Sequence, residues 1–91
     1  MNTAAGREER RIGAKTRWGG LLGQGLGHTL SPLIHNTAAE LLGLDCVYLT
    51  LDMKSAPSRA FFDALTGSNV YGFNVTLPFK EKVAALFMSR A

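Results

Sequence analysis

The segment "HTLSPLIHN", His28 to Asn36, decides how the chain is organised. It places hydroxyl side chains and a proline at the start of an apolar run, a pattern typical of a helix N-terminus. Ser31 stands where an N-cap is expected, Pro32 has the fixed φ that suits the first helical position, and Gly43 supplies the stop. The segment therefore predicts a helix that runs from Ser31 to Gly43.

Strand patterns lie on both sides of this helix. "WGGLLG", Trp18 to Gly23, is a short apolar run that ends in glycine, and it predicts a buried first strand. "CVYLTLDM", Cys46 to Met53, alternates apolar with polar residues and predicts a half-buried second strand. The helix thus connects two strands.

The same alternation continues to the end of the chain. "SAPSRAFFDALTG", Ser55 to Gly67, predicts a second helix, and "VYGFNVT", Val70 to Thr76, predicts a third strand. Pro78 is expected to open a third helix. Strands that alternate with helices predict an α/β fold with a mostly parallel sheet and flanking helices.

Composition and charge divide the chain into a short tail and one domain. The chain has 91 residues, 46% of them hydrophobic, which suits one compact core. Residues 1 to 17 carry the whole net charge of +3. We interpret residues 1–17 as a basic, disordered tail and residues 18–91 as the domain. No aromatic residue interleaves with the tail's arginines, so we expect no nucleic-acid partner.

The sequence contains no segment that predicts membrane insertion or export. No apolar run is long enough to span a bilayer, and none follows the basic N-terminus as a signal peptide requires. Cys46 is the single cysteine, which excludes an internal disulfide. We therefore expect a cytoplasmic protein with no membrane partner.

Polar side chains follow the first and third predicted strands. Thr29 and Ser31 come after the first strand, and Asn74, Thr76 and Lys80 come after the third. In an open parallel sheet, ligands bind beyond the carboxyl ends of the strands. Helix N-termini, hydroxyls and a lysine suit an anion. The alternative is that Ser31 and Thr76 cap helices and that Lys80 is a solvated side chain.

Two other kinds of site are not supported by the sequence. Gly23 and Gly25 give G-x-G after a strand, but His28 stands at the third glycine position of the dinucleotide fingerprint. No cysteine or carboxylate lies at ligand spacing from His28 and His35, so we assign both histidines to capping and packing. The sequence therefore predicts no cofactor-binding residues and no metal ligands.

"HTLSPLIHN" and "GFNVTLPFK" together resemble the two signature segments of the shikimate dehydrogenase family. The resemblance covers Leu21 to about Phe87. It implies an incomplete substrate-binding domain of a two-domain, NADP-dependent oxidoreductase. The reaction it implies is the reduction of 3-dehydroshikimate to shikimate, in the shikimate pathway to chorismate and the aromatic amino acids.

The resemblance also implies roles for the polar residues. Thr29 and Ser31 would bind the substrate carboxylate through their hydroxyls. Asn74 and Thr76 would line the pocket and contact the ring hydroxyls. Lys80 would be both a substrate contact and the catalytic lysine, which transfers a proton to or from the reacting oxygen.

Two positions depart from the family's usual pattern. Gly25 stands where proline is usual, which predicts a looser loop before the helix. Thr29 stands where serine is usual, and it adds a methyl group to the pocket wall. A preference for quinate or a related acid over shikimate therefore stays open.

The family's NADP domain, and the aspartate that pairs with its lysine, do not occur within these 91 residues. We expect that the chain by itself binds no NADP and has no dehydrogenase activity. Two alternatives are a stand-alone binding module for a small hydroxylated carboxylic acid and a small α/β protein that pairs with another chain. An uncovered sheet edge would favour self-association.

Overall fold

The computed structural model describes residues 12–88, which form three strands and three helices in alternation. All strand pairings are parallel, in the order β2-β1-β3. The predicted α/β fold with a parallel sheet is confirmed. The elements are β1 (Arg17–Gly23), α1 (Ser31–Leu42), β2 (Cys46–Asp52), α2 (Arg59–Leu65), β3 (Val70–Val75) and α3 (Lys80–Met88).

The middle strand, β1, contains both the most buried residue of the core and a gap between side chains. Leu22 is completely buried, as expected for an apolar residue in the central strand. At Gly19, an added Cβ would lie 2.8 Å from the ring of Tyr71, too close for any side chain. Glycine at this position therefore leaves space in which side chains from the outer strands can cross β1.

One face of the sheet is covered by an aromatic cluster. The ring of Phe73, in β3, lies 6.0 Å from Phe61 and 6.3 Å from Phe62 of α2, measured between centroids. Trp18 of β1 lies 5.8 Å from Phe73, and Phe87 of α3 lies 5.3 Å from Phe62. The contacts of Phe73 with Trp18 and Phe62, and of Phe87 with Phe62, are edge-on, a geometry that aromatic rings prefer, whereas the Phe61 and Phe73 rings are tilted by 38°. These contacts pack α2 and α3 on this face.

Helix α1 packs on the opposite face, mainly against Tyr48 of β2. The side chain of Asn36 donates to the Tyr48 carbonyl (2.9 Å) and accepts from the Tyr48 N–H (2.8 Å). The His35 ring stacks on the Tyr48 ring, with centroids 3.9 Å apart and planes 10° apart. The packing role predicted for His35 is confirmed.

The predicted N-terminus of α1 needs a correction. Leu30, not Ser31, is the N-cap, and it makes no side-chain capping bond. Ser31 is the first helical residue, and the Thr29 hydroxyl oxygen accepts its N–H at 3.2 Å. Pro32 is consequently second in the helix, where its missing N–H costs no intrahelical bond. The predicted stop is confirmed, because Gly43 caps α1 with φ +71°.

The third helix begins later than predicted. Pro78 does not open it, since the first helical residue is Lys80. The N–H of Phe79 donates to the Thr76 carbonyl in a turn, and the N–H of Val83 then donates to the Phe79 carbonyl. The turn at residues 76–79 comes between the strand and the helix.

The folded part of the chain begins before Trp18. Thr16 is buried and its hydroxyl donates to Asp45 at 2.7 Å, while Arg17 is the first residue of β1. Residues 16 and 17 thus belong to the domain rather than to the predicted tail. Residues 1–11 lie outside the described residues, so their predicted disorder stays a prediction. Within residues 12–88, no helix has the length and apolarity needed to cross a membrane.

Candidate functional site

The loop between β1 and α1 is fixed by a carboxylate from the neighbouring strand. Asp52, the last residue of β2, accepts the N–H of Gly25 through Oδ1 and the N–H of Leu26 through Oδ2, both at 2.9 Å. Gly25 has φ +73°, which a glycine adopts without strain. The N–H of Met53 also donates to the Gly23 carbonyl, at 2.8 Å. Asp52 therefore holds the loop that leads to the predicted anion site.

The two predicted carboxylate-binding hydroxyls lie together at the start of α1. The Thr29 hydroxyl donates to Ser31 Oγ at 3.3 Å, and both side chains are half-buried. A helix N-terminus carries a partial positive charge and unpaired N–H groups. Pro32 removes one of these donors. The two hydroxyls therefore provide side-chain donors at this positive end.

The polar residues near the end of β3, Asn74 and Thr76, lie at the same edge of the sheet. Asn74 is exposed, and its Nδ2 donates at 2.8 Å to the hydroxyl of Tyr48, which is only 4% exposed. The N–H of Thr76 donates to the Leu22 carbonyl at 2.9 Å. A Cβ added at Gly23 would lie 2.7 Å from the Thr76 methyl group. Thr76 thus packs against the end of β1.

Lys80 lies at the start of α3, with an exposed side chain. Its side chain makes no hydrogen bond or ion pair with any other residue in the range 12–88. A cation at a helix N-terminus gains nothing from the helix dipole, so its position is better suited to pairing with an anion than to stabilising the helix. Exposure also fits a solvated side chain, and the catalytic role of Lys80 stays a prediction.

Sequence reasoning missed two residues that contact the groups of this edge: Tyr48, which lies further back in β2, and Asp52, which ends β2. The alternation of β2 indicates which face Tyr48 occupies, but nothing in the sequence indicates that its hydroxyl meets Asn74. For Asp52, the only signal is that a carboxylate ends the second predicted strand, next to a glycine-rich loop after the first strand whose N–H groups need acceptors. Both contacts depend on the strand order.

The glycine-rich loop does not fit a dinucleotide. A phosphate-binding loop must present unpaired backbone N–H groups. Here the N–H groups of Gly25 and Leu26 already donate to the carboxylate of Asp52, whose negative charge would repel a phosphate. Two backbone N–H groups of this loop are therefore not available to a phosphate. The part of the chain that the structure describes also contains no group of His, Cys, Asp and Glu that could hold a metal.

A cavity of about 480 Å³ lies at the opposite end of the sheet. Arg17, Leu42, Asp45 and Cys46, at the beginning of β1 and β2 and the end of α1, are among the residues that line it, and Tyr48 closes it toward the candidate site. None of the five predicted site residues lines this cavity. Because ligands of open parallel sheets bind at the carboxyl ends of the strands, we place the candidate site there.

The fold and these residues define the class of protein. It is an open parallel α/β domain that has hydroxyl, amide and ammonium groups at the carboxyl-terminal ends of its strands. The family model described as the shikimate dehydrogenase substrate binding domain matches residues 21–89. The chain therefore belongs to the shikimate dehydrogenase family, which confirms the resemblance seen in the sequence.

Individual relatives agree with the family assignment. The chain is 46% identical over 78 residues to the shikimate dehydrogenase (NADP(+)) of Alkaliphilus metalliredigens, with 86% of this chain and 27% of the relative covered. The chain spans about a quarter of the length of the curated relatives it matches.

Solved structures of the family have the same fold. Shikimate 5-dehydrogenase from Listeria monocytogenes, in complex with shikimate and NAD, superposes with a TM-score of 0.73 at 32% identity, covering 86% of this chain and 27% of that one. Quinate dehydrogenase from Corynebacterium glutamicum, in complex with NAD, gives a TM-score of 0.60 at 29% identity, covering 78% of this chain and 27% of that one.

Proposed function

We propose that this chain provides substrate-binding groups of an NADP-dependent shikimate dehydrogenase, which reduces 3-dehydroshikimate to shikimate. The observation that carries the proposal is the Thr29–Ser31 hydroxyl pair, whose oxygens are 3.3 Å apart at the N-terminus of α1. Membership of the family and the polar residues at the end of β3 support it.

The hydroxyl pair suits a carboxylate in both charge and hydrogen bonding. The Thr29 hydroxyl donates to Ser31 Oγ, which leaves the Ser31 proton available to a ligand. Rotation of the Thr29 hydroxyl supplies a second donor. Hydrogen bonds to an ionised acceptor are stronger than neutral ones, and the helix N-terminus adds a favourable field. Thr29 and Ser31 thus bind the carboxylate of the acid.

Asn74 and Thr76 provide the groups that recognise ring hydroxyls. An amide both donates and accepts, and a threonine hydroxyl does the same, so each matches an alcohol on the ligand. Thr76 is held against Gly23 at the end of the middle strand, next to the start of the loop that carries the hydroxyl pair. The two sets of groups therefore converge on one edge.

Lys80 acts on the reacting oxygen. Its ammonium stabilises the negative charge that develops on that oxygen and exchanges a proton with it. NADPH, when bound, supplies the hydride. Because the glycine loop of this chain does not fit a dinucleotide, we expect the 91-residue chain alone to have no dehydrogenase activity.

Quinate is the second candidate substrate. Thr29 adds a methyl group to the pocket wall, and the chain's fold also matches a quinate dehydrogenase. Quinate and shikimate share the carboxylate and ring hydroxyls, so both would use the same residues. Competition between the two acids measures the preference.

An amide-resolved NMR titration of the whole chain tests the proposal. We expect saturable shifts with shikimate at the five site residues, and none with NADP. Ser31→Ala should weaken shikimate binding by roughly tenfold, the effect of losing one charge-assisted hydrogen bond. Ser55→Ala is the matched control, because Ser55 is exposed and lies outside the site. Absence of any saturable shift with either acid would contradict the proposal.

A second pair of variants separates an enzyme from a binding module. Lys80→Gln and Lys82→Gln remove one exposed lysine each from the same helix. In a chain joined to the cofactor domain of a relative, Lys80→Gln should reduce turnover by at least about a hundredfold, the usual weight of a proton-transfer residue. Lys82→Gln should leave turnover unchanged. Equal turnover in both variants would favour a non-catalytic module.

A further inference from the structure

The side-chain amide of Asn74 is exposed, yet a buried partner fixes its orientation. Its Nδ2 donates at 2.8 Å to the Tyr48 hydroxyl. We infer that Tyr48 is a positioning residue, which orients Asn74 toward the hydroxyls of the bound acid. This inference rests on the proposed function and deepens it, because it explains how an exposed side chain is preorganised.

Tyr48 is itself immobilised from two sides. Its backbone N–H and carbonyl are both bonded to the side chain of Asn36, and its ring stacks on His35. Only 4% of the residue is exposed. A hydroxyl held this firmly gives Asn74 a fixed point, whereas water or a mobile side chain would not.

The contact is made across the middle strand. Tyr48 is paired in register with Gly19, which in turn is paired with Gly72 of β3. Neither glycine has a side chain on this face, so the phenol ring extends over β1 to reach Asn74, two residues beyond Gly72. A larger residue at position 19 would block this path, since a Cβ there already meets the Tyr71 ring.

The fixed amide has a chemical consequence. With Nδ2 bonded to Tyr48, the Oδ1 atom is turned away from the phenol as an acceptor, and one N–H remains as a donor. The fixed amide thus offers the ligand one acceptor and one donor, and an alcohol, which donates and accepts, can bond to both. Without Tyr48 the side chain rotates freely, and ordering it on binding reduces the affinity.

The test compares two tyrosine-to-phenylalanine variants of the whole chain. Tyr48→Phe removes the hydroxyl and keeps the ring. Tyr71→Phe is the matched control, because Tyr71 lies beside Gly19 and its hydroxyl makes no hydrogen bond to the other residues in the described range. By shikimate titration, Tyr48→Phe should raise the Kd roughly tenfold, and Tyr71→Phe should leave it unchanged. Equal Kd values for Tyr48→Phe and the wild type would overturn the inference.

A double-mutant cycle shows whether Tyr48 acts through Asn74. If it does, Tyr48→Phe has no further effect on the Kd in an Asn74→Ala background. A further loss there would mean that Tyr48 affects binding by another route, and would overturn the inference. If the wild type binds no shikimate, the proposed function is wrong. If the wild type binds shikimate and Tyr48→Phe binds it equally well, only the inference about Tyr48 is wrong.

One measurement needs no variant and covers the case in which Tyr48→Phe does not fold. In the wild type, the side-chain amide proton of Asn74 that is bonded to Tyr48 should exchange with solvent more slowly than the side-chain amide protons of Gln24, an exposed residue of the loop after β1. Equal exchange rates would overturn the inference, because they would show that the phenol does not hold the amide.

Discussion

Phe73 and Asn74 are successive residues of β3, but their side chains lie on opposite faces of the sheet and make different kinds of contact. Phe73 meets aromatic rings from β1 and α2. Asn74 makes one hydrogen bond, to a phenol that is itself held by hydrogen bonds and stacking. Burial of rings is almost non-directional, whereas hydrogen bonds fix orientation. One face therefore supplies stability, and the other supplies geometry for a ligand.

The largest expected effect comes from removing the ring at the centre of the aromatic face. Phe73→Ala should lower the free energy of unfolding by about 3 kcal/mol, because half-buried Phe73 loses its transfer free energy and leaves a cavity among three rings. Urea unfolding measures it. Asn74→Ala is the control from the other face and should change stability by less than about 1 kcal/mol. Equal losses in the two variants would remove the distinction between the faces.

The next effect concerns the helix on the ligand face. Asn36→Ala removes both hydrogen bonds to the Tyr48 backbone and should lower the free energy of unfolding by about 2 kcal/mol. The neighbouring Thr37→Ala, at an exposed position of the same helix, should cost less than about 0.5 kcal/mol. Thermal unfolding of both variants checks this. A loss for Asn36→Ala as large as that for Phe73→Ala would make the ligand face an equal source of stability.

A smaller and more local effect is expected at the loop. Asp52→Ala should speed amide hydrogen exchange at Gly25 and Leu26 by roughly tenfold, since each N–H loses an acceptor worth about 1 kcal/mol. Asp63→Ala is the control, because its ion pair with Arg59 is on the surface and such pairs contribute little. Unchanged exchange at both amides in Asp52→Ala would show that the loop is held by something else.

The smallest expected effect is a loss of stability at high pH that accompanies the ionisation of Tyr71. Partial desolvation raises the pKa of Tyr71, whose side chain is still exposed, above its ordinary value of 10.0, and electrostatic interaction with Cys46 and Tyr48 raises it further. The folded state thus holds this proton more tightly than the unfolded state. The associated stability is fully present below pH 10.0 and is lost as the pH rises through the pKa of the folded state. An absorbance titration should place the Tyr71 midpoint above that of the urea-unfolded chain, and Tyr71→Phe should lack this transition. A midpoint at or below the unfolded value would contradict the expected sign.

The order of elements could be predicted because each is encoded locally. Alternation in β2, an apolar stripe in α1 and a glycine at position 43 depend only on near neighbours. The predicted start of α1 is wrong by one residue because Leu30, which has no capping side chain, occupies the N-cap position, and Ser31 is already helical. The start of α3 was wrong because a turn at residues 76–79 comes first, a feature that Pro78 alone does not distinguish from a helix.

The contacts that build the site could not be predicted in the same way. Tyr48 and Asn74 are 26 residues apart in the chain, and Asp52 and Gly25 are 27 apart. Both contacts exist only because β1 lies between β2 and β3, an order set by the crossover connections rather than by any local pattern. The motifs predict Thr29, Ser31, Asn74, Thr76 and Lys80 as site residues, but they do not predict the residues that contact them.

The side chain of Asn36 also affects which outer strand of this sheet can pair with a strand from another chain. By occupying the outward N–H and carbonyl of Tyr48, it interrupts the outer margin of β2, whereas no side chain within residues 12–88 bonds in this way to the backbone of residues 71–75 in β3. Within the described residues, an added strand can therefore form a continuous ladder along β3 but not along β2. If two copies pair along β3 about a two-fold axis, each places that margin inside the interface, and the pair is closed.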